Sequence, residues 1–196
     1  MLMGSCLYKN VTVFLDRDGT LNHDIGYLTS PEELILFDGV LEAIARLKES
    51  GSRLVLVTNQ SAIGRGQMNL ADLERIHRHL ADMLLTKGIR FDGIFFCPHH
   101  PDAGCYCRKP NPGLIEQAVS RLGVDVRRSY VVGDKCIDME LAQNVGAIGV
   151  LVTTSLFSRE ALRAIEAGRL RVEKVAATLL EAADWIIHDV RHRVWA

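Results

Sequence analysis

The stretch Val11-Thr12-Val13-Phe14-Leu15-Asp16-Arg17-Asp18-Gly19-Thr20 decides the reading of this chain. Five apolar or β-branched residues run without polar alternation, which suits a strand covered on both faces. A burst of charge ending in a turn-forming Gly-Thr follows at once. Further apolar runs follow the same grammar: Leu54–Val57, Gly93–Phe96, Tyr130–Val132 and Ile148–Val152. Helical stripes fall between them, at Val40, Ile44 and Leu47, at Leu73, Ile76, Leu80 and Met83, and at Leu114, Ala118 and Leu122. Gly51, Gly88, Gly123 and Gly146 stand where left-handed helix ends are wanted. Strand–helix alternation with short connections predicts an α/β fold, a Rossmann-like, doubly wound, mainly parallel sheet with helices on both faces.

The rest of the chain bounds this reading. At 196 residues, with 48% hydrophobic and 24% charged residues, it has globular composition and the length of one domain. Lys plus Arg number 23 against 24 for Asp plus Glu, and the net charge of -1 gives no reason to expect nucleic acid or a membrane as partner. No apolar run approaches a membrane span, and the first twenty residues lack the pattern of a signal peptide. A cytoplasmic protein of residues 1–196, monomeric or weakly self-associating, is expected. Toward the end, Arg159–Gly168 and Glu173–Ala183 read as helices, and Trp185–Ile187 as an edge strand; the last nine residues have no clear assignment. Leu156, Phe157 and Trp195 read as core, with a dimer contact as the alternative.

Ligands of such sheets bind beyond the carboxyl ends of the strands. The residues delivered there are Asp16 to Thr20, Thr58-Asn59-Gln60-Ser61, Arg108-Lys109-Pro110 and Gly133-Asp134-Lys135. Asp16, Asp18 and Asp134 converging on one edge would raise each other's pKa, so a hard divalent cation, most simply Mg²⁺, is implied. Lys109 and the Thr58 hydroxyl supply charge and a donor for a phosphoryl group, whose in-line transfer depends on positioning and charge neutralisation. Taken singly the signals are modest, since Asp-Gly is a common turn and Thr-Asn a common cap. Their order and their position after successive apolar runs carry the inference.

Five cysteines are present; Cys6 and Cys136 stand alone, whereas Cys97, Cys105 and Cys107 crowd together with His99. Three thiolates and an imidazole make a tetrahedral Zn²⁺ set with no open position, hence a structural zinc-binding loop at about residues 97–107. His100 competes with His99 as the fourth ligand.

FLDRDGTLN, LVTNQS, RKP and VVGDKCIDM resemble, in order, the four motifs of the haloacid dehalogenase superfamily of phosphatases. The resemblance implies Asp16 as nucleophile forming an aspartyl-phosphate, Asp18 as acid/base, Thr58 and Lys109 steadying the phosphoryl group, and Mg²⁺ held by Asp16, Asp134 and the Arg17 carbonyl, with Asp18 often added. Asp138 would support Lys109 or a metal-bound water. Neither Thr20–Arg53 nor Asn59–Arg108 has room for a large cap domain. CPHHP and CYCRKPNPG resemble the D,D-heptose 1,7-bisphosphate phosphatases and the related histidinol-phosphate phosphatases. In the first of these, Asp24, Ile25, Gly26 and Tyr27 would touch a small sugar-phosphate substrate beside Asn59, Gln60, Ser61 and Arg108. The short His99–Cys105 interval keeps both substrates open, while the GYLTSP segment leans toward the heptose. A phospho-aspartate signalling module needs similar residues, but an acid/base at Asp18 would shorten the life of its acyl-phosphate.

Overall fold

The computed structural model describes residues 11–194. Its six strands are β1 (Thr12–Leu15), β2 (Arg53–Asn59), β3 (Gly93–Cys97), β4 (Ser129–Gly133), β5 (Ile148–Val152) and β6 (Lys174–Ala176). They form one sheet in the order β3-β2-β1-β4-β5-β6, every pairing parallel. The connecting helices are α1 (Val40–Glu49), α2 (Ser61–Gly64), α3 (Leu70–Leu85), α4 (Gly113–Leu122), α5 (Cys136–Val145), α6 (Ser158–Glu166) and α7 (Leu179–His192).

Apolar residues on both sides of each strand explain why helices cover both faces. Val13, Leu15, Leu54 and Leu56 pack with Ile44, Leu47, Ile76, Leu80 and Ile186 from α1, α3 and α7. The intervening Phe14, Val55 and Val57 face Leu114, Ile115 and Ala118 of α4 and Leu141 of α5. Leu151 of β5 joins Met139 and Ala161 in a smaller cluster under α6. The four glycines expected to end helical patterns all have positive φ.

The C-terminal portion corrects the sequence reading. Residues 174–176 form the edge strand, and Trp185–Ile187 lie within α7. Leu179, Ala182, Ala183, Ile186 and Val190 are buried at helical spacing, and Thr178 caps the helix by accepting from Glu181 N–H. Only three residues pair with β5, too few to show a strand period. Leu156 and Phe157 are 74% and 53% exposed, not core, because they lie in the connection from β5 to α6. Cys6 and Trp195 fall outside the described residues. Among the described residues, no helix is long and apolar enough to cross a membrane.

The chain leaves β1 for β2 and β3, then returns to place β4 on the other side of β1. That reversal opens a crevice between the carboxyl ends of β1 and β4. Leu15 is in register with both Leu56 and Val132, so Asp16, Thr58 and Asp134 leave their strands at nearly the same height.

Candidate active site

At this edge Asp16, Asp18, Thr58 and Lys109 line one cleft of about 170 Å³, with Asp24, Gly26, Asn59, Ser61 and Arg108. Lys135, from the segment expected after the fourth apolar run, and Ile137, which was not singled out from sequence, complete the wall. Ile25 and Tyr27, expected beside them, are 54% and 42% exposed and do not line the cleft. Gln60 is buried, with its side chain turned beneath the cleft.

Lys109 is the electrostatic centre. Its three ammonium protons go to Asp16 Oδ1 at 2.7 Å, Asp138 Oδ1 at 2.6 Å and the Val57 carbonyl at 3.0 Å. Burial disfavours the ammonium, but the Asp138 and Asp16 charges outweigh it and hold Lys109 above the usual lysine range. Its backbone is fixed by Asn59, whose side chain both accepts from Lys109 N–H at 3.1 Å and donates to the Lys109 carbonyl at 3.2 Å. Asn59 is thereby engaged as a brace between β2 and the Lys109 loop.

Carboxylate oxygens of Asp16, Asp134 and Asp138 lie within 4.8 Å of one another. Burial and the Asp16 charge push Asp134 up to about 7. Burial likewise raises Asp138 despite the Lys109 beside it. Thr20 donates to Asp134 Oδ1 at 3.4 Å, and the Ser155 hydroxyl donates to its other oxygen. A Cβ on Gly19 would collide with the Asp134 carboxylate, so the turn after Asp18 needs glycine for its φ of 93° and for this close approach. Three buried acidic oxygens that disfavour one another form a fitting donor set for a hard divalent cation. Asp18 stands outside this trio: Arg17, Asn22 and Gln60 occupy its carboxylate. Burial would raise Asp18, yet the Arg17 guanidinium and the amide donors override it and hold the carboxyl below its ordinary value.

Around the mouth, Lys135 pairs with Asp24 Oδ2 at 2.7 Å and lies 4.9 Å from the Phe157 ring centroid. Arg108 has a buried Nη1 with no hydrogen-bond partner, a donor suited to an anion in the cleft.

Next to the cleft, the four expected zinc ligands converge. Cys97 Sγ is 3.3 Å from Cys105 Sγ and 3.6 Å from His99 Nδ1, and Cys107 Sγ is 3.6 Å from Cys105 Sγ and 3.3 Å from His99 Nδ1. A tetrahedral zinc with ordinary bond lengths needs ligand separations of roughly 3.5–3.8 Å, so the set fits that ion. His100 is turned away, pairing with Asp102, which removes it as the fourth ligand. Burial pushes the Cys97 thiol up to about 12, an environment that calls for a cation if the thiolate is to form. β3 ends at Cys97, in register with Asn59, so this loop sits at the catalytic edge and leads directly into Arg108 and Lys109.

Residues 106–182 match the HAD-hydrolase-like family model. A D-glycero-beta-D-manno-heptose-1,7-bisphosphate 7-phosphatase of Yersinia pestis is 40% identical over 187 residues, covering 91% of this chain and 90% of the relative. The Escherichia coli K12 protein of the same name is also 40% identical, covering 91% of this chain and 88% of its own. Among solved structures, the D,D-heptose 1,7-bisphosphate phosphatase of B. bronchiseptica, complexed with magnesium and phosphate, superposes with a TM-score of 0.84 at 37% identity, covering 91% of this chain and 98% of that one. With its parallel sheet and its acid- and lysine-lined cleft, the chain belongs to the heptose-1,7-bisphosphate 7-phosphatase family of HAD-like hydrolases.

Proposed function

We propose that this protein removes the C7 phosphate of D-glycero-D-manno-heptose 1,7-bisphosphate, leaving heptose 1-phosphate for the synthesis of nucleotide-activated heptose. The β-anomer is favoured by the names of the relatives. The observation that carries the chemistry is the ion-paired unit of Asp16, Lys109 and Asp138, whose Asp16 and Lys109 line one cleft with Thr58.

In this reading Asp16 attacks phosphorus through a carboxylate oxygen and the bond from phosphorus to the C7 oxygen breaks. Asp18, ionised in the free protein beside Arg17, takes up a proton as the anionic substrate binds and gives it to the departing alkoxide, which leaves as the sugar hydroxyl. Asp18, now ionised, takes a proton from a water that attacks the aspartyl-phosphate; the bond to Asp16 breaks and inorganic phosphate departs. Lys109 and the Thr58 hydroxyl share the charge of the equatorial oxygens, and Arg108 offers its unpartnered N–H to a substrate phosphate. Asp16 and Asp134 are the residues that would hold Mg²⁺, which supplies charge neutralisation to the phosphoryl group. Cys97, His99, Cys105 and Cys107 would hold a structural Zn²⁺ that fixes the segment carrying Arg108 and Lys109. One domain with an open substrate mouth, lined on one side by Asp24 and Gly26, suits a small sugar phosphate.

The test is phosphate release from both anomers of the bisphosphate, with histidinol phosphate alongside and Asp16→Asn as control. A large kcat/KM preference for one bisphosphate anomer is the expected result. A preference for histidinol phosphate would overturn the substrate and keep the mechanism.

A further inference from the structure

Beneath the cleft lies a buried polar unit built on Arg17, which stands between Asp16 and Asp18 in the chain. Arg17 is 1% exposed. Its Nη2 donates to both oxygens of Asp18, at 2.8 and 2.7 Å, and its Nε donates to Oδ1 at 3.1 Å. The same Nη2 reaches Gln60 Oε1 at 3.2 Å. Gln60 in turn donates from Nε2 to Asp18 Oδ2 at 3.0 Å and to Thr58 Oγ1 at 2.8 Å. Thr58 is therefore the acceptor toward the interior, which leaves its own hydroxyl proton for a group in the cleft. Neither Arg17 nor Gln60 lines the cleft, whereas Asp18 and Thr58 both do.

We propose that Arg17 and Gln60 are positioning residues that lock the Asp18 carboxylate and the Thr58 hydroxyl into one rigid pair, setting where the leaving-group proton is delivered relative to the phosphoryl grip. The assignment rests on the phosphatase reading above. A guanidinium fork fixes a carboxylate in plane and direction, and the Gln60 amide transmits that orientation to the hydroxyl. Both groups then meet the substrate without reorganisation, which is where positioned proton transfer gains its rate.

A role in proton delivery has a signature that mere support of the fold lacks: it depends on the leaving group. An alkyl phosphate needs a proton on its departing oxygen, whereas 2,4-dinitrophenyl phosphate expels a stable phenolate without one. The experiment compares wild type, Gln60→Ala, Arg17→Met and Arg17→Lys on the heptose bisphosphate, on a simple alkyl monoester and on 2,4-dinitrophenyl phosphate, with thermal melting alongside. Gln60→Ala and Arg17→Met should lower kcat/KM, which reports the steps through leaving-group departure and not the later hydrolysis of the aspartyl-phosphate, about 100-fold on the alkyl esters and change it less than about threefold on the dinitrophenyl ester. Arg17→Lys should recover part of the loss. Equal losses on all three esters, or no loss on any in a folded variant, would overturn the assignment. If Arg17→Met does not fold, Gln60→Ala decides alone, since it leaves the Arg17–Asp18 pair in place. Failure of the wild type on the heptose ester with turnover of the other two would refute the substrate reading and leave this test intact.

Discussion

Replacing Lys109 with methionine removes the buried cation hydrogen-bonded to both Asp16 and Asp138 while nearly conserving volume. In the native arrangement its ammonium lies 2.7 Å from Asp16 and 2.6 Å from Asp138. Without it, three carboxylates face one another within 4.8 Å. At an effective dielectric constant of about 20, two unit charges at that separation repel by about 3.5 kcal/mol, and removing one partner of a buried ion pair costs about 3–5 kcal/mol. For a chain of this length that corresponds to a Tm lowered by roughly 6–20 °C. The loss should depend on pH with a definite sign. Asp134, already raised to about 7 in the native protein, binds a proton more readily folded than unfolded, so its contribution is present at low pH and lost as pH rises through about 7. Lys109→Met should enlarge this effect, making the variant nearly as stable as wild type at pH 5 and much less stable at pH 8. Millimolar Mg²⁺ should recover part of the loss at pH 8. The assay is urea unfolding of both proteins at the two pH values, with chelator or with Mg²⁺. A penalty under about 1 kcal/mol at pH 8, or one identical at pH 5, would refute the reasoning.

Asp16→Asn should abolish turnover while leaving the melting curve close to wild type; an active variant, measured by phosphate release, would sink the covalent route. Cys107→Ser should lower zinc content by elemental analysis and thermal stability together, and should reduce kcat because the loop also presents Arg108 and Lys109. His77, buried under Phe96, is pushed down to about 3 by burial and by Arg17. Its stabilising contribution is thus present above pH 6.5 and is lost as pH falls toward 3, so His77→Leu should flatten the acid limb of a stability–pH profile recorded with Mg²⁺ present. An unchanged limb would place acid sensitivity elsewhere.

Much of this enzyme is legible one strand at a time. The apolar runs of β1, β2, β4 and β5 are continuous because both faces are covered, and the polar residues after each run emerge at one edge because the strands are parallel. Asp16, Asp18, Thr58 and Lys109 could be grouped on that basis, and the cysteine spacing marked the metal-type loop. The edge strand at 174–176 escaped notice because three residues carry no period, and its neighbour α7 hid behind the β-forming Trp185-Ile186-Ile187. Leu156 and Phe157 were misplaced because apolarity alone does not tell a core residue from one on a connecting loop.

Other features exist only in three dimensions. Lys135 meets Asp24 across 111 residues of chain, Ser155 reaches Asp134 from the neighbouring strand's loop, and Gln60 turns inward instead of toward the cleft. Arg17, flanked by two acids in sequence, enters the sequence reading only through its carbonyl; folded, its guanidinium curls back onto Asp18. Sequence by itself determined the fold class and the chemical inventory, since hydrophobic periodicity and residue type are local properties. The tertiary structure decided which side chain holds which, because a hydrogen bond depends on distances of a few tenths of an ångström that only packing between distant segments sets.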